Sequence, residues 1–301
     1  MPNETIDYFF SRENYRQMPG GDWPIQVISY AEDRTLGDVH YHDFFELAVI
    51  TGGHGVYRDG EGRNYQLVPG NVFLLRPGMI HYYVEQSHLQ VTNILWIEEE
   101  LGMAFFDLPQ CPGYHALFEL EPQSHSRVRK NRSLVLNTDQ LTEVEGILRR
   151  MQYELSVRPP GARLAATSLA GLLFTTLCRA YADASERGDN ELFRLDRVIA
   201  YIHKNYKNPI RRVQLARLAA MSEANFYRVF HRILGCSPVQ YLLDIRLKHA
   251  EELLRNSNAA LPEIALRTGF SDSNYFGLVF KRRYGISPHQ YRLRKQSASP
   301  D

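Results

Sequence analysis

LARLAAMSEANFYRVFHRILGCSPVQY, residues 215–241, runs parallel to IALRTGFSDSNYFGLVFKRRYGISPHQY, residues 264–291, at a spacing of 49 to 50 residues. One extra residue enters the second copy near Asp272–Asn274. Self-similarity at this period means two copies of one supersecondary unit. Each copy opens on an apolar helix with an internal Leu-Ala or Ile-Ala pair, turns at Ala220–Ser222 or Thr268–Ser271, and continues into a helix bearing Phe226 and Phe230, or Phe276 and Phe280. This is helix-turn-helix grammar. Gly235 and Gly285 suit the residue that ends each second helix. Ser237-Pro238 and Ser287-Pro288 supply an N-cap and a first-turn proline for the next one. The four phenylalanines are assigned to the small cores of these units rather than to base stacking.

Charge agrees with this division. Residues 192–301 carry 19 Lys and Arg against 8 Asp and Glu, whereas residues 1–191 carry 16 against 26, inside a net charge of +1. A basic segment attached to an acidic one points to a nucleic-acid partner for the basic part or to a merely solvated basic surface, and the helix-turn-helix repeat favours double-stranded DNA. A helix from Pro238 to about Arg255 would be ~27 Å long, close to the ~34 Å between successive major-groove faces. One rigid helix can then hold both reading heads on one side of a duplex, with some bending of the DNA.

The double repeat, the paired GxSPxxY segments and the phrase GFSDSNYFGLVFKRRYGISPHQYR resemble the AraC/XylS family of bacterial transcription regulators over about residues 193–294. The N-terminal part is similar, more loosely, to the cupin-type sensor domains of the family's sugar-responsive members, notably the rhamnose-type regulators. In the first head, the exposed half of the second helix places Ala224, Tyr227 and Arg228 toward the groove and Asn225 toward phosphates; Arg228 can take guanine O6 and N7 together. For the second head the family pattern implies Ser273, Asn274, Gly277 and Leu278, with Lys281, Arg282 and Arg283 on phosphates. Leu278 stands where relatives often carry Arg, which implies a weaker base reader. Asp272 reads as a helix-capping acid, or, as the resemblance implies, as a contact to the polymerase sigma factor.

Ahead of the basic segment, residues 25–97 alternate as short strands broken by GGHG, DGEG, PGN and RPG, the pattern of a small antiparallel barrel or sandwich. Leu141, Val144, Leu148, Met151 and Leu155 mark an amphipathic helix over 139–155, RPPG at 158–161 breaks it, and a second helix follows over about 162–182. This pair either packs on the barrel or forms a homodimer surface. The expected fold is α+β in two domains: a cupin-like barrel at 1–135, a helical dimerisation segment at 136–183, a polar linker at 184–192 and a double helix-turn-helix at 193–295. The apolar stretch Leu164–Cys178 is too short to span a bilayer, and MPNETIDYFF lacks a basic leader, so a cytoplasmic chain with no membrane partner is expected. Cys111, Cys178 and Cys236 are far apart in sequence and read as ordinary small side chains.

HYHDFFE, residues 40–46, places His40, His42 and Glu46 on one face of a period-two strand, and GNVFLLRPGMIH ends at His81, which a barrel can bring round to face them. The four side chains match the ligand set of metal cupins and suit Zn, Ni, Mn or Fe. Arg76 stands where that pattern has proline, and Glu85 where asparagine is frequent. Three readings stay open: a bound metal, a metal-free pocket for the hydroxyls of a small-molecule effector such as a sugar, and plain polar lining. Arg58, Arg76, Tyr82 and Trp96 are further candidates for the effector wall. Function divides likewise among an effector-dependent activator of carbohydrate-use genes, an AraC-type regulator of a non-sugar response, and a metal-dependent cupin enzyme fused to a DNA-binding tail. The first is favoured, and no catalytic residue is assigned.

Overall fold

The computed structural model describes residues 8–18, 22–31, 39–101, 107–120, 134–186 and 191–296, in two compact units, Met1–Asp196 and Arg197–Asp301. In the first unit, among the described residues, eight strands form one sheet: β1 (Tyr8–Phe10), β2 (Ile25–Ala31), β3 (His40–His42), β4 (Phe45–Asp59), β5 (Asn64–Leu67), β6 (Asn71–Leu75), β7 (His81–Trp96) and β8 (Leu134–Val135). Their order is β1-β3-β7-β4-β6-β8, with β2 added to β7 and β5 to β4. The ladders are antiparallel except β1 on β3, which is parallel, so the sheet is mixed rather than wholly antiparallel.

The long ladder between β4 and β7 gives the sheet its shape. Phe45–Ile50 pair with Trp96–Val91, then the register shifts near Gly52–His54 and again between Val56 and Tyr57, so that Tyr57 pairs with Tyr83 and Asp59 with His81. Gly53 takes φ +68°, and a Cβ there would lie 2.0 Å from the His88 carbonyl oxygen, so the bulge requires glycine. On β4 these shifts exchange which parity points inward, while on β7 the odd-numbered residues stay inside. Before the bend the inner residues are Glu46, Ala48 and Ile50; after it they are Tyr57, Tyr83 and His81. Ala48, Ile50, Leu75, Val91, Tyr57, Leu67 and Tyr83 share one buried cluster, which shows the sheet folded over on itself.

The opposite parity faces outward onto helices. Leu47, Val49, Ile94 and Trp96 pack with Val144, Leu148 and Met151 of helix α3 (Thr138–Val157) and with Leu173, Phe174 and Leu177 of α4 (Ala162–Glu186), numbered after the short α1 (Arg12–Gln17) and α2 (Glu98–Leu101). The leucine stripe of the helix pair is thus satisfied by the sheet, at roughly 1.5–3 kcal/mol per buried side chain. Within α4, Ala162–Ala184 is long and apolar enough by composition to cross a membrane, longer than the stretch read from sequence; its apolar face is the one buried on the sheet. Cys111 and Cys178, distant in sequence, meet thiol to thiol against this core; the hydrogen bond from Cys178 brings the Cys111 thiol down to about 7. Of the expected linker, 187–190 lie outside the described residues, and its two ends are helical.

Helix α5 (Glu191–Asn205) begins in the first unit, where the buried Asp196 accepts hydrogen bonds from the backbone of Gly113 (2.8 Å) and Ala116 (2.9 Å). The second unit continues with α6 (Arg212–Leu218), α7 (Glu223–Leu234), α8 (Pro238–Asn256), α9 (Leu261–Arg267), α10 (Ser273–Tyr284) and α11 (Pro288–Gln296). The two copies are near-identical in packing. Phe226 and Phe230 sit 5.5 Å apart at 65°, Phe276 and Phe280 5.7 Å apart at 65°; all four are buried, as core residues should be. Tyr241 and Tyr291 abut the second phenylalanine of each pair at 5.7 and 5.6 Å. Ser222, Ser237 and Asp272 cap α7, α8 and α10, and Gly235 and Gly285 end α7 and α10 in the left-handed region.

The copies differ at their inter-helix turns. The left-handed position is Ala220 (φ +49°) in the first and Gly269 (φ +88°) in the second, where a Cβ would lie 2.7 Å from the Tyr206 carbonyl oxygen and 2.9 Å from Lys207 Cα. Ala220→Gly should therefore raise stability by ~1 kcal/mol and Gly269→Ala should lower it by more. Chemical denaturation of the full chain checks both; a Gly269→Ala variant as stable as the parent would contradict the close approach.

Candidate functional sites

The rolled sheet brings three of the four expected ligands together at one buried end. His42, Glu46 and His81 are 1%, 6% and 1% exposed, and their donor atoms all lie within 4.8 Å of one another. His40 falls outside that set. Its ring lies 4.2 Å from that of His81, its cross-strand neighbour, tilted by 59°. Both clustered imidazoles are fixed from behind: His42 Nδ1 lies 2.7 Å from the Phe44 carbonyl and His81 Nδ1 3.1 Å from that of Met79. The ring of Phe44 stacks on His42 at 4.5 Å. Glu46 is held by Asn93, whose Nδ2 donates to Oε1 at 2.8 Å, leaving Oε2 3.4 Å from His42 Nε2.

Electrostatics follow from this enclosure. Burial pushes the Glu46 carboxyl up, but the imidazoles of His42, His81 and His40 outweigh it and leave Glu46 below the ordinary carboxylate value. Burial lowers His81 to about 3 from 6.5, so its ring is neutral at physiological pH. Further round the inner wall stand Tyr57, Tyr83 and Asn93. The two tyrosine hydroxyls and the Asn93 Oδ1 are buried with no hydrogen-bond partner. Sequence reasoning missed these three residues; only the register shifts turn Tyr57 inward on β4, whereas Tyr83 and Asn93 share the parity of His81 on β7.

Arg76 and Trp96 do not join them. Glu46 pairs with Leu75 and Leu95, so the residues next along, Arg76 and Trp96, point to the other face of the sheet. Trp96 stacks between Phe45 (5.2 Å) and Phe174 (5.3 Å) in the sheet–helix core. Arg76 lies over the Phe45 ring at 5.9 Å and lines an outer groove of about 580 Å³ with Arg12, Asp43 and Glu99.

In the second unit the expected base-reading residues fall on the solvent face of α7 and α10, with one exception. Ala224 and Arg228 are exposed, and Arg228 Nη2 donates to Asn225 Oδ1 at 2.7 Å, which holds the guanidinium over the N-terminal half of α7. Tyr227 turns partly inward, its hydroxyl oxygen buried and its ring under Arg212 at 5.9 Å, because the neighbouring Phe226 and Phe230 draw that side of the helix into the core. On α10, Ser273, Asn274, Lys281, Arg282 and Arg283 are exposed, and nothing lies within 4 Å of where a Cβ on Gly277 would stand. Leu278 is 64% exposed and Tyr275 49%. These occupy the repeat positions of Arg228 and Asn225, so the second head presents an apolar pair where the first presents hydrogen-bond donors and acceptors. Tyr275 was legible only through that alignment. Asp272 caps α10 by accepting from Asn274 N at 2.7 Å, and it too is exposed.

Two outcomes are expected. A depressed histidine pKa makes the unfolded chain the better proton acceptor between the two values, so the stability of chelator-treated protein should fall as pH drops below 6.5 toward 3, at about 1.4 kcal/mol per unit. Denaturation midpoints across this range check it; a pH-independent midpoint would contradict the buried, neutral ring. Arg228→Ala should weaken binding to a selected DNA site about tenfold or more while leaving random-DNA binding nearly unchanged. Equal loss on both, in competition assays at fixed salt, would show that Arg228 only touches phosphate.

The comparisons with known proteins agree with this division. Residues 27–126 match the model of the AraC-like ligand binding domain, and residues 215–294 that of a helix-turn-helix domain. The chain is 29% identical over 271 residues to proteins named HTH-type transcriptional activator RhaR, from Salmonella schwarzengrund and from Escherichia coli O9:H4, spanning 89% of this chain and 92% of each of them. Among solved structures, the C-terminal domain of the two-component response regulator yesN from Fusobacterium nucleatum is 31% identical, covering 32% of this chain and 93% of that one with a TM-score of 0.31. With a ligand-binding unit followed by a DNA-binding unit, the chain belongs to the AraC family of transcription regulators.

Proposed function

We propose that the chain is an effector-dependent activator of carbohydrate-use genes, and that the effector is a polyol bound at the inner end of the rolled sheet. One observation carries this reading: Tyr57, Tyr83 and Asn93 each turn a buried, unpartnered polar atom into the same aromatic-walled interior. A buried hydroxyl or amide left without a partner costs about 1–3 kcal/mol, and a ligand rich in hydroxyls is the economical remedy. The likeness to activators named RhaR supports the activator part.

Such an effector acts by binding one arrangement of the protein more tightly than another. The chain passes from the first unit into the second inside α5, whose Asp196 is held by the backbone around Gly113–Ala116. A shift at that carboxylate is therefore our proposed route of coupling. Leu164 and Leu172, exposed on α4, are the proposed centre of a homodimer contact, and Asp272 the proposed contact to a polymerase sigma factor. A DNA partner supports a cytoplasmic location for the working protein.

Thermal shift of the full chain against a panel of aldoses and deoxyhexoses tests the sugar reading. An effector present at about 100 times its Kd should add ~2.7 kcal/mol to stability. Tyr57→Phe and Tyr83→Phe should weaken that shift while leaving DNA affinity unchanged. A panel in which only aromatic or charged compounds stabilise the protein would overturn it.

A further inference from the structure

The buried end of the rolled sheet presents hydrogen-bond acceptors to one another. A carbonyl oxygen can only accept, so the 2.7 Å contact between His42 Nδ1 and Phe44 O, and the 3.1 Å contact between His81 Nδ1 and Met79 O, require a proton on each Nδ1. In the neutral rings each Nε2 is then a bare lone pair. Glu46 Oε2 faces His42 Nε2 at 3.4 Å, and Asn93 already occupies the other carboxylate oxygen. His42 Nε2 has no hydrogen-bond partner. Two imidazole nitrogens and one carboxylate oxygen, all buried, thus converge and demand a cation.

We propose that this cation is a divalent first-row transition metal bound by His42 Nε2, His81 Nε2 and Glu46 Oε2. The spacing fits. Bonds of ~2.0–2.2 Å to nitrogen and oxygen place tetrahedral ligands about 3.4 Å apart, the observed His42–Glu46 separation. The backbone carbonyls behind both rings and the amide behind the carboxylate are the supports that orient metal ligands and fix their tautomers. Three protein ligands leave a coordination position open. On the polyol reading above, and resting on it, that position takes an effector hydroxyl.

Metal analysis of untagged full-length protein, with isothermal titration of chelator-stripped protein by Zn²⁺ and Co²⁺, tests the site. The expected result is one equivalent bound, with the visible absorption of low-coordinate Co²⁺, and an affinity that falls at least about 100-fold in His42→Ala and His81→Gln. Asn93→Ala, outside the ligand set, should weaken binding by about 10-fold and guards against misfolding of the ligand variants, whose far-ultraviolet circular dichroism is compared with the parent. Absence of stoichiometric binding by well-folded parent protein overturns the site and identifies a protonated His42–Glu46 pair instead. Metal binding that survives both ligand variants also overturns it. A sugar shift that persists unchanged after chelation leaves the polyol reading standing and removes the metal-bound hydroxyl. Metal binding without any sugar shift does the reverse.

Discussion

The bent pairing of Phe45–Asp59 with His81–Trp96 is the constraint on which the first unit depends. Before the bend, the ladder turns Glu46 inward and Leu47 outward; the register shifts then turn Tyr57 inward, onto the face that Asn93, Tyr83 and His81 share on β7. Without them Tyr57 would share a face with Leu47, while His81 keeps the parity of Asn93 and Leu95 along its own strand. Gly53 permits this fold-over because its left-handed backbone passes close to the His88 carbonyl. The same ladder turns Leu47, Val49, Ile94 and Trp96 to the opposite face, where α3 and α4 cover them. Site and scaffold therefore share one cause.

The second unit rests on a different economy. Two copies of one helix pair each enclose a small aromatic cluster, and the 19-residue α8 joins them. Arg246 in that helix ties its middle to the end of α5, with Nε 2.7 Å from the Tyr206 carbonyl and Nη2 3.0 Å from that of Asn208. Packing is conserved between copies while the exposed faces diverge. Arg228 and Asn225 suit hydrogen-bonded base edges; Leu278 and Tyr275 suit thymine methyls and sugar faces. On the proposal that these residues meet DNA, two heads of unlike chemistry on one helix suit an asymmetric site.

Much of this was legible in the sequence, for physical reasons that can be named. The phenylalanine spacing, the Ser-Pro caps and the terminal glycines of the repeat are local signals, and local signals survive folding. His42, Glu46 and His81 were legible as a set because residue type and alternation both marked them. Arg76 and Trp96 were misplaced because strand parity counts only up to the next bulge or turn, and no local signal states which parity faces inward. Tyr227 was misplaced by a fraction of a helical turn. The meeting of Cys111 with Cys178 depends on how α4 crosses the sheet, which no spacing encodes.

On our proposal, the buried acceptors at the inner end of the sheet form a cluster that a cation completes. An anomalous difference map from crystals of the full chain soaked in zinc, with data on both sides of the zinc absorption edge, tests it most directly. The account predicts a peak ~2.0–2.2 Å from His42 Nε2, His81 Nε2 and one Glu46 oxygen. No anomalous signal there, with His42 donating a proton to Glu46 across a shortened contact, would contradict it.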